Sequence, residues 1–213
     1  MKLEDLKEVV AKGKFKEIED APKGALEAGF TPKQMLGEAL VPAMEEVGKK
    51  FSAGKIFIPE MMVSAKTMQI ALDILKPHMV GDKQVKTAGV FAIGTVKDDL
   101  HDIGKNIVIS MMQGAGFEVI DLGIDCRPEK FVEAIENGAQ ILGMSAILTT
   151  VVDNIGKTIE FIEQKGLRDQ VKILAGGVAV GATMAEKMGA DAYCKDAGEG
   201  PVKAKKLMSA LAG

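Results

Sequence analysis

The chain has 213 residues, 47% hydrophobic and 27% charged, with 27 Lys plus Arg against 30 Asp plus Glu and a formal net charge of −3. This excludes a disordered chain and leaves material for one sizeable core or two smaller ones. The absence of a basic block or stripe argues against nucleic acid as a partner, and no apolar run approaches the roughly 18 residues of a membrane span.

The N-terminus, "MKLEDLKEVV", is acidic and amphipathic where a leader would be basic and then apolar. The expected location is therefore cytoplasmic, with no membrane partner. From residue 1 to about 80 the periodicity is helical. Helices are expected near residues 3–12 and 14–28, the second interrupted by Pro22. A third has a readable start, with Thr31 as cap, Pro32 at the first helical position and Gln34 completing a capping box. It should run to about Lys50, with Pro42 as the place for a kink. The fourth is "IPEMMVSAKTMQIALDILKPHM", where Met61, Ala65, Met68, Leu72, Leu75 and Met79 form one apolar stripe behind Pro59 in the first turn. Four helices with short joints make a small bundle.

"GDKQVK", residues 81–86, is polar and aperiodic and reads as a linker. Beyond it, from residue 87 to 213, short apolar runs alternate with amphipathic segments. "TAGVFAIG" precedes a helix from Ile103, "EVIDLG" one from Pro128, and "ILGMSAIL" one from Val151. "VKILAGG" precedes a helix near Ala182, and "ADAYCK" one from Pro201. Five strands each followed by a helix imply a doubly wound α/β domain with a five-stranded parallel sheet, flavodoxin-like in plan.

In such a sheet the common strand order is 2-1-3-4-5, and ligands lie beyond the carboxyl ends of the strands at the switch between strands 1 and 3. Strand 1 leads into "VKDDLHDIGK", with Asp99, His101 and Gly104. Strand 3 ends at Ser145, with Thr149 and Thr150 just after it; strand 4 ends at Gly176 and Gly177, and strand 5 at Asp196, Ala197 and Gly198. Hydroxyls and bare glycine backbone on one rim suit a long, partly polar ligand threaded against the sheet. With Asp99 two residues away, His101 can give one ring nitrogen to a carboxylate and present the other to a metal or a proton. A lone His–Asp pair is also what a solvated surface loop offers. A flavin binder would bring aromatic side chains, where this chain has no Trp and only Tyr193; a phosphoacceptor receiver would place an aspartate where Ser145 stands. Cys126 and Cys194 lie far apart and support neither a disulfide framework nor a structural zinc site.

"DLHDIG", residues 99–104, resembles the D-x-H-x-x-G signature of cobalamin-binding domains. Ser145-Ala146-Ile147 follows after 40 intervening residues at the place of S-x-L, and Gly176-Gly177 after 28 more. "FSAGKIFIPEMMVSAKTM" is similar to the helical cap that precedes such a domain in methionine synthase. The resemblance spans about residues 10–213 and points to the small corrinoid proteins of methyltransferase systems.

The resemblance implies cobalamin or a related corrinoid as cofactor, in its methylcobalamin form. His101 would be the axial cobalt ligand in place of the cofactor's own benzimidazole, with Asp99 hydrogen-bonded behind it. Asp98, Leu100, Asp102 and Gly104 would flank it, and Ser145, Ile147, Thr149, Gly176, Gly177 and Ala197 would line the slot for the displaced nucleotide tail. Phe51 and Ile58 fall at positions that roof the methyl group, and Met61 either joins them or packs the bundle. Two departures stand out: Ile147 replaces Leu, and Val151 replaces a serine that extends the His–Asp relay in methionine synthase, leaving Thr149 or Thr150 as substitutes. The implied function is a methyl carrier, not an enzyme by itself. It would work between a substrate-specific methyltransferase and a second one that uses coenzyme M or a tetrahydrofolate, with a reductive activation protein as further partner. A cobalamin-dependent regulator and the small subunit of an adenosylcobalamin mutase are the alternatives.

Overall fold

The first helix, α1 (Leu3–Ala11), turns Leu6, Val9 and Val10 inward and stops at Gly13, whose φ of +60° continues no helix. The computed structural model describes residues 1–79 and 88–211, so the linker expected at 81–86 lies outside the described residues. The chain divides into two compact units: Met1–Thr87, grouped with Gln113–Gly116, and Ala88–Met112 with Phe117–Gly213.

In the first unit, the second expected helix is shorter than its pattern suggests. Residues 15–20 form turns, and α2 (Ala21–Glu27) begins only where Pro22 falls in its first turn, the place a proline fits. Thr31 caps α3 (Pro32–Met35) in the expected box, its hydroxyl accepting from the Gln34 amide at 3.2 Å. The third helix then passes through a wide turn, Leu36–Leu40, into α4 (Val41–Ser52). Here the Val41 amide donates to the Leu36 carbonyl, one residue further back than in an α-helix. Pro42 has no amide to donate and its ring crowds the carbonyl four residues back, and the wide turn relieves both. In α5 (Ile58–Met79) Met61, Met68 and Leu75 are fully buried and Leu72 half-buried. Met61 thus lies among the buried residues of its stripe, the packing alternative of the two weighed above.

The second unit is a parallel sheet in the order β2-β1-β3-β4-β5. Its strands are β1 (Val90–Val96), β2 (Glu118–Cys126), β3 (Ile141–Ser145), β4 (Lys172–Gly176) and β5 (Ala192–Cys194). They alternate with α6 (Ile103–Gly114), α7 (Pro128–Glu136), α8 (Asn154–Gln164), α9 (Ala182–Lys187) and α10 (Glu199–Leu211). Side chains alternate across a sheet. Ala92, Val96, Leu142, Met144, Ile173 and Ala175 point to one face, where they form a core with Phe131, Ile155 and Ile159 from α7 and α8. Phe91, Ile93, Gly143, Ser145, Leu174 and Gly176 point to the other, the side to which the right-handed connections assign α6 and α10.

Two helix starts differ from expectation. α8 begins at Asn154, not Val151, because the chain leaves β3 through open backbone and turns at residues 146–153. α10 begins two residues before Pro201, because the Asp196 carboxylate accepts from the amides of Gly198 and Glu199 and caps the helix earlier. Among the described residues no helix is long and apolar enough to cross a membrane.

Candidate functional site

β1 ends at Val96 and the chain turns through Asp98, whose φ is +66°. Asp99 follows and is fully buried. Its Oδ1 accepts from the His101 amide at 3.1 Å and pairs with the ring Nδ1 at 2.7 Å; its Oδ2 accepts from the amides of Ile147 at 2.7 Å and Leu148 at 3.4 Å. Burial pushes the Asp99 carboxyl up, but hydrogen bonds, first from the Ile147 amide and then from the His101 ring, outweigh it and hold the pKa below its ordinary value. An ionised carboxylate only accepts, so Nδ1 carries the proton, and in the neutral imidazole Nε2 keeps its lone pair. The His101 side chain is 49% exposed, and Nε2 has no hydrogen-bond partner among the described residues.

Thr149 and Thr150, the two substitutes offered for the relay serine, are exposed, and backbone amides of residues 147 and 148 occupy the Asp99 Oδ2. The reason is that β3 ends at Ser145: the open backbone after it leaves two amides unpaired in the sheet and aimed at Asp99.

Parallel pairing sets Thr95 beside Ser145, Ser145 beside Gly176, and Gly176 beside Cys194. These four form one row of small residues along the carboxyl edge, on the face toward α6 and α10. Thr95 is fully buried and its hydroxyl donates to the His101 carbonyl at 2.7 Å. Ser145 is buried and its hydroxyl has no hydrogen-bond partner among the described residues. Ala197, also buried, lies in the turn that opens α10. Thr95 and Cys194 went unread in the sequence, although strand order and two-residue alternation place them in the row.

Two glycines test whether a ligand fits this rim. At Gly177, φ is +115° and a Cβ would stand 2.1 Å from the Ala146 carbonyl oxygen, so the protein's own packing requires glycine there. At Gly104 a Cβ would meet nothing within 4 Å, so the protein leaves space it does not itself use. Leu100, Ile103, Leu148 and Val178, from three rim loops, expose apolar side chains, Val178 to 87%. Asp102 is exposed and tied to its own helix, its Oδ2 accepting from the Asn106 amide group at 3.2 Å. Apolar side chains around one outward imidazole fit a large flat ligand with a metal at its centre.

Among the described residues no three His, Cys, Asp or Glu side chains gather as a metal cage. A single imidazole suffices only where a macrocycle fills the other coordination positions. In the helical unit Phe51 is half-buried and Ile58 exposed; Phe57 and Met62, which sequence reasoning passed over, are exposed too.

The fold and the site define a class: an α/β protein with one carboxylate-backed histidine at the carboxyl rim of a five-stranded parallel sheet. Comparison with known proteins narrows it. A family model described as a B12 binding domain matches residues 89–205, and a second of the same description matches residues 2–76. The chain is similar to dimethylamine corrinoid protein 2 of Methanosarcina acetivorans, 37% identical over 97% of this chain and 95% of that one. It is also similar to the trimethylamine corrinoid protein of Methanosarcina barkeri, 38% identical over 90% of this chain and 89% of that one. Two solved structures share the fold: a cobalamin-binding protein from Desulfitobacterium hafniense DCB-2, with TM-score 0.82, 28% identity and both chains fully covered, and the methanol:cobalamin methyltransferase complex from Methanosarcina barkeri, with TM-score 0.81, 25% identity and coverage of 96% of this chain and 78% of that one. The chain belongs to the family of corrinoid proteins with B12-binding domains, and its cofactor is cobalamin or a related corrinoid.

Proposed function

We propose that this protein is a methyl carrier that holds the corrinoid through His101 and has no turnover without partner enzymes. It takes a methyl group from a substrate-specific methyltransferase and hands it to a second methyltransferase, with coenzyme M or a tetrahydrofolate as final acceptor. The observation that carries this reading is the 2.7 Å pair between Asp99 and His101, which leaves Nε2 bare at the switch point of the sheet. The methylamine relatives favour a methylamine as the donor over methanol, a betaine or an aryl methyl ether. A reductive activation protein belongs to the proposal as a third partner, and the cytoplasm as its location.

Bound corrinoid supplies a cobalt that takes up and gives up the methyl group. His101 would hold the cobalt through Nε2, and Asp99, by keeping the proton at Nδ1, would make that nitrogen more basic and fix the tautomer. The amides of Ile147 and Leu148 keep Asp99 in place, so the imidazole is oriented before any ligand arrives. Ser145 offers a hydroxyl to the displaced tail, while Gly104, Gly176, Gly177 and Ala197 keep their side chains out of its way, with Ile147 and Thr149 beside them. Asp98, Leu100 and Asp102 flank the ligand loop. Phe51, half-buried, and Ile58, exposed, offer apolar side chains of the kind that would keep water from a methyl group, with Met61 buried in the bundle interior.

The test is reconstitution. Protein loaded with methylcobalamin should lose its methyl group to an acceptor only when a partner methyltransferase is added, and protein loaded with adenosylcobalamin should do nothing productive. Productive use of the adenosyl form, or failure to retain any corrinoid through gel filtration, would overturn the reading.

A further inference from the structure

β2 is the edge strand of the sheet and carries more residues than β1 can pair. The register between them slips after Ile93 and again after Gly94, so Leu122 and then Ile124 and Asp125 are left without a partner. Bulges of this kind beside a site re-aim a side chain. This one is stapled from within: Asp121 Oδ1 accepts from the Gly123 amide at 2.9 Å and from Lys105 Nζ at 2.7 Å, and the Cys126 thiol donates to the Leu122 carbonyl at 3.2 Å. Lys105 is itself almost wholly buried, which anchors the bulge to α6.

The product of the bulge is Asp125, which stands at φ +48°, a left-handed region that few non-glycine residues enter, aspartate and asparagine most readily. Its carboxylate Oδ1 accepts from the Asp98 amide at 2.8 Å, and its own amide donates to the Asp99 carbonyl at 3.0 Å. Asp98 is also left-handed, so the two unusual residues hold each other. Lys97 just before them is tied by Asn154, whose side-chain amide donates to the Lys97 carbonyl at 2.8 Å.

We infer that Asp125 is a positioning residue for His101: a two-bond latch from the edge strand that fixes the backbone of the ligand loop at Asp98 and Asp99. Asp99 then arrives at His101 and at the amides of Ile147 and Leu148 with no freedom left to lose. This inference rests on the reading of His101 as the cobalt ligand.

Three proteins separate the outcomes: wild type, D125A and D125N, each reconstituted with cobalamin and reduced to cobalt(II). Asparagine keeps the acceptor and tolerates a left-handed backbone; alanine does neither. The latch predicts that D125A binds cobalamin about tenfold more weakly, as loss of a supporting contact does at other metal sites, and shows a smaller histidine-coupled fraction by electron paramagnetic resonance. D125N should match wild type in both. Equal coupling and affinity in D125A, or equal loss in D125N, would overturn the latch while leaving His101 as ligand; absence of histidine coupling in wild type would instead overturn the functional reading. Amide exchange in the unvaried protein gives a reading independent of any variant: the Asp98 amide should be protected, and exchange as fast as that of exposed loop amides would overturn the latch.

Discussion

The loops that leave β1 and β4 lie on the same rim and are built in opposite ways. The first is dense with hydrogen bonds at Lys97, Asp98, Asp99 and His101. The second is bare: Gly176 and Gly177 carry no side chain, and Val178 points into solvent. A bond aimed at one metal atom needs a donor fixed in position, and fixing costs many contacts. A long tail needs only space and a few polar ends, and glycine supplies the space. The difference fits the proposed division of roles, the pinned loop for the metal bond and the bare loop for the tail.

The largest expected effect comes from filling the bare loop. Gly177→Ala forces a left-handed backbone on alanine, about 1–3 kcal/mol in itself, and drives its Cβ against Ala146. The variant should melt on the order of 10 °C lower or fail to accumulate; a wild-type melting curve would show that the loop gives way freely.

Next is the pinned loop. Asp99→Ala strips the His101 and Ile147 amides and the imidazole of their acceptor, and losing a hydrogen bond to a charged group costs about 1.5–3 kcal/mol. Calorimetry should show the second unit destabilised and corrinoid retention lost together. Loss of retention at unchanged stability would mean that Asp99 serves the ligand alone.

Ser145→Ala sharpens the comparison, since that hydroxyl has no hydrogen-bond partner among the described residues. Stability should change by less than about 0.5 kcal/mol, while cobalamin affinity measured by titration should fall severalfold, about 1 kcal/mol. Unchanged affinity would remove Ser145 from the tail slot.

The smallest effect concerns the thiols. Burial pushes Cys194 up to about 12 from 9.0, and burial raises Cys126 as well. A thiol that ionises later when folded than when unfolded adds stability below pH 9.0 and loses it as pH rises toward 12. Neither thiol should react readily with iodoacetamide at pH 8.5 until the chain unfolds, which mass spectrometry would read; fast alkylation of folded protein would contradict it.

Much of this was legible in the sequence. The alternation of strand and helix gave the sheet order, and the spacing of His101, Ser145 and Gly176 placed three loops on one rim. What escaped depended on contacts between residues far apart in the chain. The end of β3 at Ser145 was legible, but the two amides freed there toward Asp99 follow from tertiary packing. The bulge that delivers Asp125 has no local signature beyond Gly123. In the helical unit the wide turn before Pro42 was foreshadowed by the proline, whereas the turns at residues 15–20 were hidden by a pattern that reads as helix. Met61 shows the limit of stripe reading: periodicity identified the face, and only burial separated the packing side chain from the exposed Ile58.

The most direct measurement is electron paramagnetic resonance of the cobalt(II) protein with 15N-labelled histidine. The account predicts superhyperfine splitting from one histidine nitrogen that changes with the isotope and vanishes in His101→Ala. Splitting that ignores the label, as a retained benzimidazole would give, or that survives in His101→Ala, would contradict it.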